Sequence, residues 1–365
     1  MDELTRMRIE RFEALKARGD GQFPYSFETT HTVAAFLEQF DHLVETGEEV
    51  AMAGRVMFRN RFGRLIFMRI FDDTGKLQWV ISKQEVGDDL FQLANKQIDI
   101  GDICGIRGTA FETKTGEKSV RAREFTVLGK NIRALPEKYH SLKDKETRYR
   151  QRELDLIMNR DSFEVFQKRS RIISFIRNWM TERGFADVET PTLQLVYGGG
   201  EACPFMTHVN AIDQDVYLGI SPELYLKRLV VGGFSKVFTI CKNFRNEGID
   251  ATHNPEFTMM EAYQAYVDYN HVMALAEQVL HDACVHVNGT AEVPYGETTL
   301  SFALPFKRLR FFEALEQASG LNRDSSREQI VAYIQNHPEG GSIDTSLPTS
   351  RLVLKAFELA VEVTL

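Results

Sequence analysis

Residues 236–266, KVFTICKNFRNEGIDATHNPEFTMMEAYQAY, constrain the fold of this chain more than any other stretch. They read as two β-strands joined by a long polar loop. From Lys236 to Arg245 the residues alternate, with Phe238, Ile240 and Phe244 on one face. Asn246 to Pro255 hold the turn and breaker residues Asn246, Gly248, Asn254 and Pro255, and a second strand runs from Glu256 to Ala265. Alternate strand residues share a face, so Phe257, Met259, Glu261 and Tyr263 point one way. A carboxylate between aromatics on a covered face is a candidate group for recognising a cation. Arg245 and Glu247 open the loop and His253 lies near its close. A guanidinium for phosphate and an aromatic face for a base suit such a hairpin to a nucleoside triphosphate.

The chain has 365 residues, enough for two domains with cores of their own. No apolar run approaches the roughly 18–20 residues that span a bilayer, and the charged, amphipathic N-terminus lacks a signal-peptide core. Cys104, Cys203, Cys241 and Cys284 are scattered without metal-ligand spacing, which reads as reduced thiols. A net charge of −8 argues against nucleic-acid binding by bulk charge, but leaves local basic patches at 55–64, 143–152 and 168–171. The 143–152 run reads equally as a solvated face.

Residues 1–45 read mostly as helix, with Leu4, Met7, Ile9, Phe12 and Leu15 near helical spacing, a Gly/Pro break from Gly19 to Pro24 and a second helix over Val33–Leu43. Five short strands then follow, over 50–58, 65–71, 77–82, 102–111 and 118–128, with turns DDTGK at 72–76 and TKTG at 113–116. A helix over 88–97 follows the third strand, the order of an OB-fold barrel, which binds oligonucleotides across its face. A charged link without periodicity, 131–150, leads to a helix starting in RYRQRELDLI at 148–157. Residues 163–190 form a long amphipathic helix running into a strand, with a stripe of Phe166, Ile172, Ile173, Ile176 and Trp179.

FRNEG at 244–248 followed by HNPEFTMME at 253–261 resembles the second signature motif of the class II aminoacyl-tRNA synthetases, with wording closest to the lysyl enzymes. RYRQRELDLI at 148–157 and SPELYLKRL at 221–229 carry the same resemblance. It implies an α+β chain: a helical segment (1–45), an OB-fold β-barrel that binds the anticodon (46–130), a linker (131–150) and an antiparallel-sheet catalytic domain (151–365). The implied reaction joins lysine to tRNA(Lys) in the cytoplasm, through lysyl-adenylate, with ATP as substrate and Mg2+ assisting. The helix-strand-Pro segment resembles the first motif of the family, which implies a homodimer through residues 163–191. Arg245 is then the catalytic group bridging the α-phosphate and the amino-acid carboxylate. Glu247 holds the adenine amino group or a water, His253 and Asn254 contact phosphate or the loop backbone, and Phe257 stacks on adenine. Phe257 reads alternatively as core. Gly199, Glu223, Glu261 and Tyr263 form the lysine site. Arg59, Phe67, Gln78 and Glu117 follow the family pattern for anticodon contacts, Phe67 as stacking ring and Gln78 as edge reader. From the residues alone, Phe67 equally reads as barrel core.

The chain also departs from the family. No Gly-rich third motif with its Arg follows Glu261: GGS at 340–342 lacks the strand, helix and Arg, and no residue matches the family's Mg2+ carboxylates, so no metal ligand is assigned. AFELAVEVTL at 356–365 reads as helix interior. The expectation is an N-terminal portion of a longer enzyme, inactive alone, whose catalytic sheet has exposed, aggregation-prone edges. Cys203 stands where Arg is frequent, and so does Gly219. Three rival readings remain: an aspartyl or asparaginyl ligase, a lysyl-type transferase modifying a protein, and a non-catalytic tRNA-binding module. The paired carboxylates Glu223 and Glu261 suit a cation, against the first. The OB-fold argues against the second.

Overall fold

The computed structural model describes residues 2–19, 23–136, 142–340, 344 and 346–364. Parts of the Gly/Pro break, of the linker and of the GGS run lie outside the described residues. Contacts divide the chain into two compact units, one through Phe163 and one from Glu164.

In the first unit α1 (Glu3–Ala17) starts at Asp2, whose carboxylate accepts the Thr5 backbone N–H at 2.7 Å. The single helix expected over 33–43 is two short ones, α2 (Val33–Glu38) and α3 (Phe40–Thr46), broken at Gln39. Strands β1 (Glu49–Phe62), β2 (Leu65–Phe71) and β3 (Lys76–Ser82) lead to α4 (Lys83–Lys96), then β4 (Ile103–Glu112) and β5 (Lys118–Gly129). The five strands close into a barrel in the order β1-β2-β3-β5-β4; the β3–β5 pairing is parallel and the rest antiparallel. Its core follows from alternation: Ile66, Met68 and Ile70 of β2 face inward against Trp79, Ile81, Phe91 and Ile106. A buried ion cluster ties the end of β5 and helix α1 to the α4–β4 connection. Lys130 Nζ donates to Asp99 at 2.5 Å and Asp102 at 2.7 Å, and Arg11 of α1 pairs with the same Asp99. Burial raises the Asp102 pKa despite the nearby Lys130 charge. Two short helices, α5 (Lys145–Arg150) and α6 (Arg152–Met158), also fall in this unit. Asp155 of α6 is buried and accepts from Arg148, Arg152 and Asn159.

Helix α7 (Arg160–Glu182) runs into the second unit. There follow β6 (Ala186–Asp187), β7 (Leu193–Gln194), β8 (Met206–Val209), β9 (Gln214–Leu218), α8 (Glu223–Val231), β10 (Lys236–Phe244) and β11 (Glu256–Gln264). The central sheet has the order β11-β10-β6. The sheet is mixed where an antiparallel one was expected: β10 and β11 are antiparallel, but β6 pairs parallel to β10. The chain reaches β10 from β6 by a crossover through a second small sheet, β7-β9-β8, and α8, rather than by a hairpin. Trp179, Met180, Phe185, Phe238 and Val279 form the core between α7, this sheet and α9 (Tyr269–Asn288). Truncating the fully buried Phe238 to Ala should cost about 3–5 kcal/mol. The hairpin β12 (Glu292–Tyr295) and β13 (Thr298–Ser301) precedes α10 (Phe311–Ser319), α11 (Arg327–Asn336) and α12 (Thr349–Ala360), which share a cluster of Leu315, Ile330, Ile334 and Leu352. The helix expected through the last ten residues closes at Ala360. A 3₁₀ turn, Glu362–Thr364, follows in a stretch where β-branched Val361 and Thr364 disfavour helix.

Candidate functional site

The β10–β11 register sets Thr239 opposite Glu261, Cys241 opposite Met259 and Asn243 opposite Phe257, so these side chains share one sheet face. Glu261 is held from two sides. Ser221 Oγ donates to its Oε1 at 2.7 Å and the Tyr263 hydroxyl donates to its Oε2 at 3.0 Å. The Tyr263 hydroxyl pKa is raised, by burial first and then by the Glu261 charge. Ser221, just before α8, also accepts the Glu223 backbone N–H at 3.0 Å. Gly199 presses onto this corner with φ of +91°: a Cβ there would lie 2.6 Å from Ser221 Oγ and 2.8 Å from Glu223 Cβ. Lys227, one turn along α8, donates to Glu223 at 2.5 Å with its ammonium 5.8 Å from the Tyr263 ring centroid. Gly199, Glu223, Glu261 and Tyr263 are thus brought together, around a serine that sequence reasoning passed over.

The far end of the same face belongs to Arg245 and Phe257. The Arg245 guanidinium lies 5.2 Å from the Phe257 ring centroid, and its Nε–H is buried with no hydrogen-bond partner among the described residues. Phe257 is half-buried. Glu247 accepts the Cys203 backbone N–H at 3.2 Å, while the Asn246 N–H donates to Cys203 O at 2.8 Å. His253 and Asn254 lie on the exposed loop, and the imidazole of His253 is engaged with Asp250 at 2.8 Å rather than with the sheet face. The Asp250 carboxyl is held well below the usual range by the Thr252 backbone N–H first and by His253 next.

The first unit presents a separate polar and aromatic face. The β1–β2 hairpin turns at Gly63 (φ +57°) and Arg64, pairing Phe62 with Leu65, Asn60 with Phe67 and Phe58 with Arg69. Arg69 pairs in turn with Gln78 of β3, and its guanidinium lies 3.5 Å from Glu117. Gln78 donates to Ser119 at 3.0 Å. Phe67 is half-buried on the outer side, because Ile66 and Met68 take the barrel core. Phe67, Gln78 and Glu117 therefore share a face, and Arg59 does not join them. A register irregularity between Val56 and Phe58 and the two-residue turn set Arg59 opposite the core residue Met68. Its guanidinium donates to Ala94 O at 3.0 Å and Asn95 O at 2.5 Å, holding the C-terminal end of α4.

The family described as tRNA synthetases class II (D, K and N) matches residues 144–343, and the OB-fold nucleic acid binding domain matches residues 50–128. Curated relatives named lysine–tRNA ligase include one from Methanoculleus marisnigri, 45% identical over 95% of this chain and 69% of the relative. Another, from Carboxydothermus hydrogenoformans, is 42% identical over 100% of this chain and 74% of its own length. A third, from Enterococcus faecalis, is 43% identical over 98% and 73%. The chain belongs to the class II lysyl-tRNA synthetases.

In this synthetase the two departures from the family wording have structural counterparts. Cys203 ties its loop to the Asn246 backbone and the Glu247 carboxylate through its own backbone N–H and carbonyl, so that link survives the loss of an arginine side chain. A Cβ on Gly219 would lie 2.7 Å from Nε2 of the buried Gln194, which fills the space a longer residue at 219 would need. Ser221, Lys227, Thr239 and Asn243 were missed because single polar residues carry no pattern; Thr239 and Asn243 do alternate in step with Arg245 on their strand. Asn60 and Arg69 were legible in principle, since a two-residue turn at Gly63–Arg64 dictates the pairing of Asn60 with Phe67.

Proposed function

We propose that this synthetase joins lysine to tRNA(Lys) in two steps on the β10–β11 face. The lysine carboxylate attacks the α-phosphate of ATP, pyrophosphate leaves, and the 3′-terminal hydroxyl of the tRNA then attacks the lysyl carbonyl, releasing AMP. The protein's part is positioning and charge compensation. Arg245 offsets the repulsion between carboxylate and α-phosphate, and its unpartnered buried Nε–H supports that role. Phe257 offers a ring to adenine with Arg245 beside it. Glu247 lies at the loop's start, within reach of the adenine amino group or a water, and His253 and Asn254 serve the phosphates from the loop. Glu261 and Glu223 supply the charge that a desolvated substrate ammonium needs, with the Tyr263 hydroxyl and the Gly199 backbone shaping the corner. Among the described residues no group of three or more His, Cys, Asp or Glu side chains is placed to hold a metal ion.

The observation carrying the choice of substrate is the Ser221–Glu261–Tyr263 corner: hydroxyls hold the Glu261 carboxylate while the Lys227 ammonium is taken up by Glu223, so an aspartate side chain would meet a carboxylate rather than a free cation. The barrel, within residues 46–130, reads the anticodon by stacking on Phe67 and by base-edge contacts from Gln78 and Glu117. Residues 151–365 carry the catalysis and 131–150 link the two. Residues 163–191 form a homodimer contact: α7 exposes Val165, Phe166 and Ile172 beside a groove of about 460 Å³ lined with Ile173, Ile176, Ile240 and Met260. No helix among the described residues is long and apolar enough to cross a membrane, and the proposed reaction is cytoplasmic. Pyrophosphate exchange driven by lysine, and not by aspartate or asparagine, tests the reading. Exchange with aspartate would overturn the substrate, and tRNA binding without any exchange would favour a binding module.

A further inference from the structure

We infer that Phe62 is a second base-stacking ring, so that the barrel face takes two adjacent unpaired bases of an RNA loop rather than one. This rests on the anticodon-binding reading of that face and extends it. The hairpin register puts Phe62, Asn60 and Phe58 of β1 on the same side as Leu65, Phe67 and Arg69 of β2. Phe62 is 63% exposed, its ring centroid is 5.9 Å from that of Phe67, and the planes meet at 74°. A perpendicular pair uses at most one ring face for the mutual contact. The mutual contact therefore leaves at least one π-face of each ring uncovered by the other, in two different orientations.

The hairpin tip that carries Phe62 is braced from the opposite side. Arg61 points the other way, its Nε–H donating to Gly63 O at 3.0 Å and its guanidinium 5.5 Å from the ring of the buried Phe91. The tip therefore gives up little conformational freedom when a base docks, which favours affinity. Single exposed apolar residues are ordinary, but Phe58, Phe62 and Phe67 form an aromatic patch on one face. Charge completes the match. Arg64 is exposed at the turn beside Phe62, and Arg69 lies on the same face beyond Phe67, where Glu117 pairs with it, so a phosphate backbone passing Phe62 meets the Arg64 guanidinium. Aromatic rings beside cations are the arrangement that holds single-stranded nucleic acid.

The test uses the full chain and a fluorescently labelled anticodon stem–loop of tRNA(Lys). Phe62→Ala, and Phe62→Leu which keeps apolar bulk without a π-face, should each weaken binding about 5- to 150-fold. Phe62→Trp should bind like the parent, with its indole emission quenched as RNA is added. An abasic residue at the loop position stacked on Phe62 should erase the Phe62→Ala effect. Leucine binding like phenylalanine, or a tryptophan whose emission ignores the RNA, would overturn the inference. Phe67→Ala separates it from the reading beneath it. Loss with Phe67→Ala alone sinks the second ring and keeps the anticodon face. No loss with either alanine variant sinks both. Phe62 is exposed, so melting temperatures should stay together across the series.

Discussion

Replacing Glu261 by Gln removes one charge and almost no shape, which makes it the sharpest test of the lysine corner. In the parent, both carboxylate oxygens accept from protein hydroxyls, Ser221 at 2.7 Å and Tyr263 at 3.0 Å. The glutamine oxygen can keep the Ser221 bond, and the Tyr263 hydroxyl can rotate to accept from the new NH2 group, so the folding cost should be about 0–1 kcal/mol. The substrate ammonium loses much more. A charge pair about 4 Å apart is worth about 4 kcal/mol at an effective dielectric near 20, and the half-buried position of Glu261 lowers that toward about 2. Lysine should bind about 30- to 900-fold more weakly. Calorimetric titration with lysine reads the affinity, and thermal unfolding of the same samples reads the fold. Lysine affinity within a few-fold of the parent would refute the role of Glu261 as counter-charge. A collapse of the melting transition would refute the argument that the corner tolerates an amide.

Gly199→Ala should destabilise the second unit by about 1–3 kcal/mol, because φ is +91° and the new methyl would meet Ser221 Oγ; lysine titration should show lost affinity, and parental affinity would show that the loop does not form the site. Arg59→Met should lower stability by about 1–3 kcal/mol by leaving the Ala94 and Asn95 carbonyls at the end of α4 short of a donor. Among molecules still folded it should leave stem–loop affinity near parental, and a specific loss of RNA binding would return Arg59 to the anticodon face. Burial alone would raise the Asp155 pKa, but hydrogen bonds from Asn159, Arg148, Ser162 and Arg152 outweigh it and hold the carboxyl at about 2, below its ordinary 3.8. A folded value lowered in this way stabilises above the unfolded pKa and is lost as pH falls through the folded one. Stability should therefore drop between about pH 4 and pH 2, and Asp155→Asn, less stable at neutral pH, should show a shallower drop in denaturant melts across that window.

The period of two in a strand is local, so the sequence alone determined that Glu261 and Tyr263 share a face with Phe257, and that five strands and a helix follow one another in barrel order. Fixed motif spacing carried the family for the same reason: FRNEG and HNPEF lie within one hairpin. Contacts between distant segments were decided by tertiary structure. Ser221 meets Glu261 across 40 residues, and Gly199 is needed where it stands only because α8 begins beneath it. Register is also cooperative: one irregularity in β1 and one two-residue turn exchange Arg59 for Asn60 beside Phe67, a swap that parity read from either strand alone cannot see. The parallel pairing of β6 is likewise set by a crossover through other elements, since a strand's sequence states what it can bury and not which neighbour it will join.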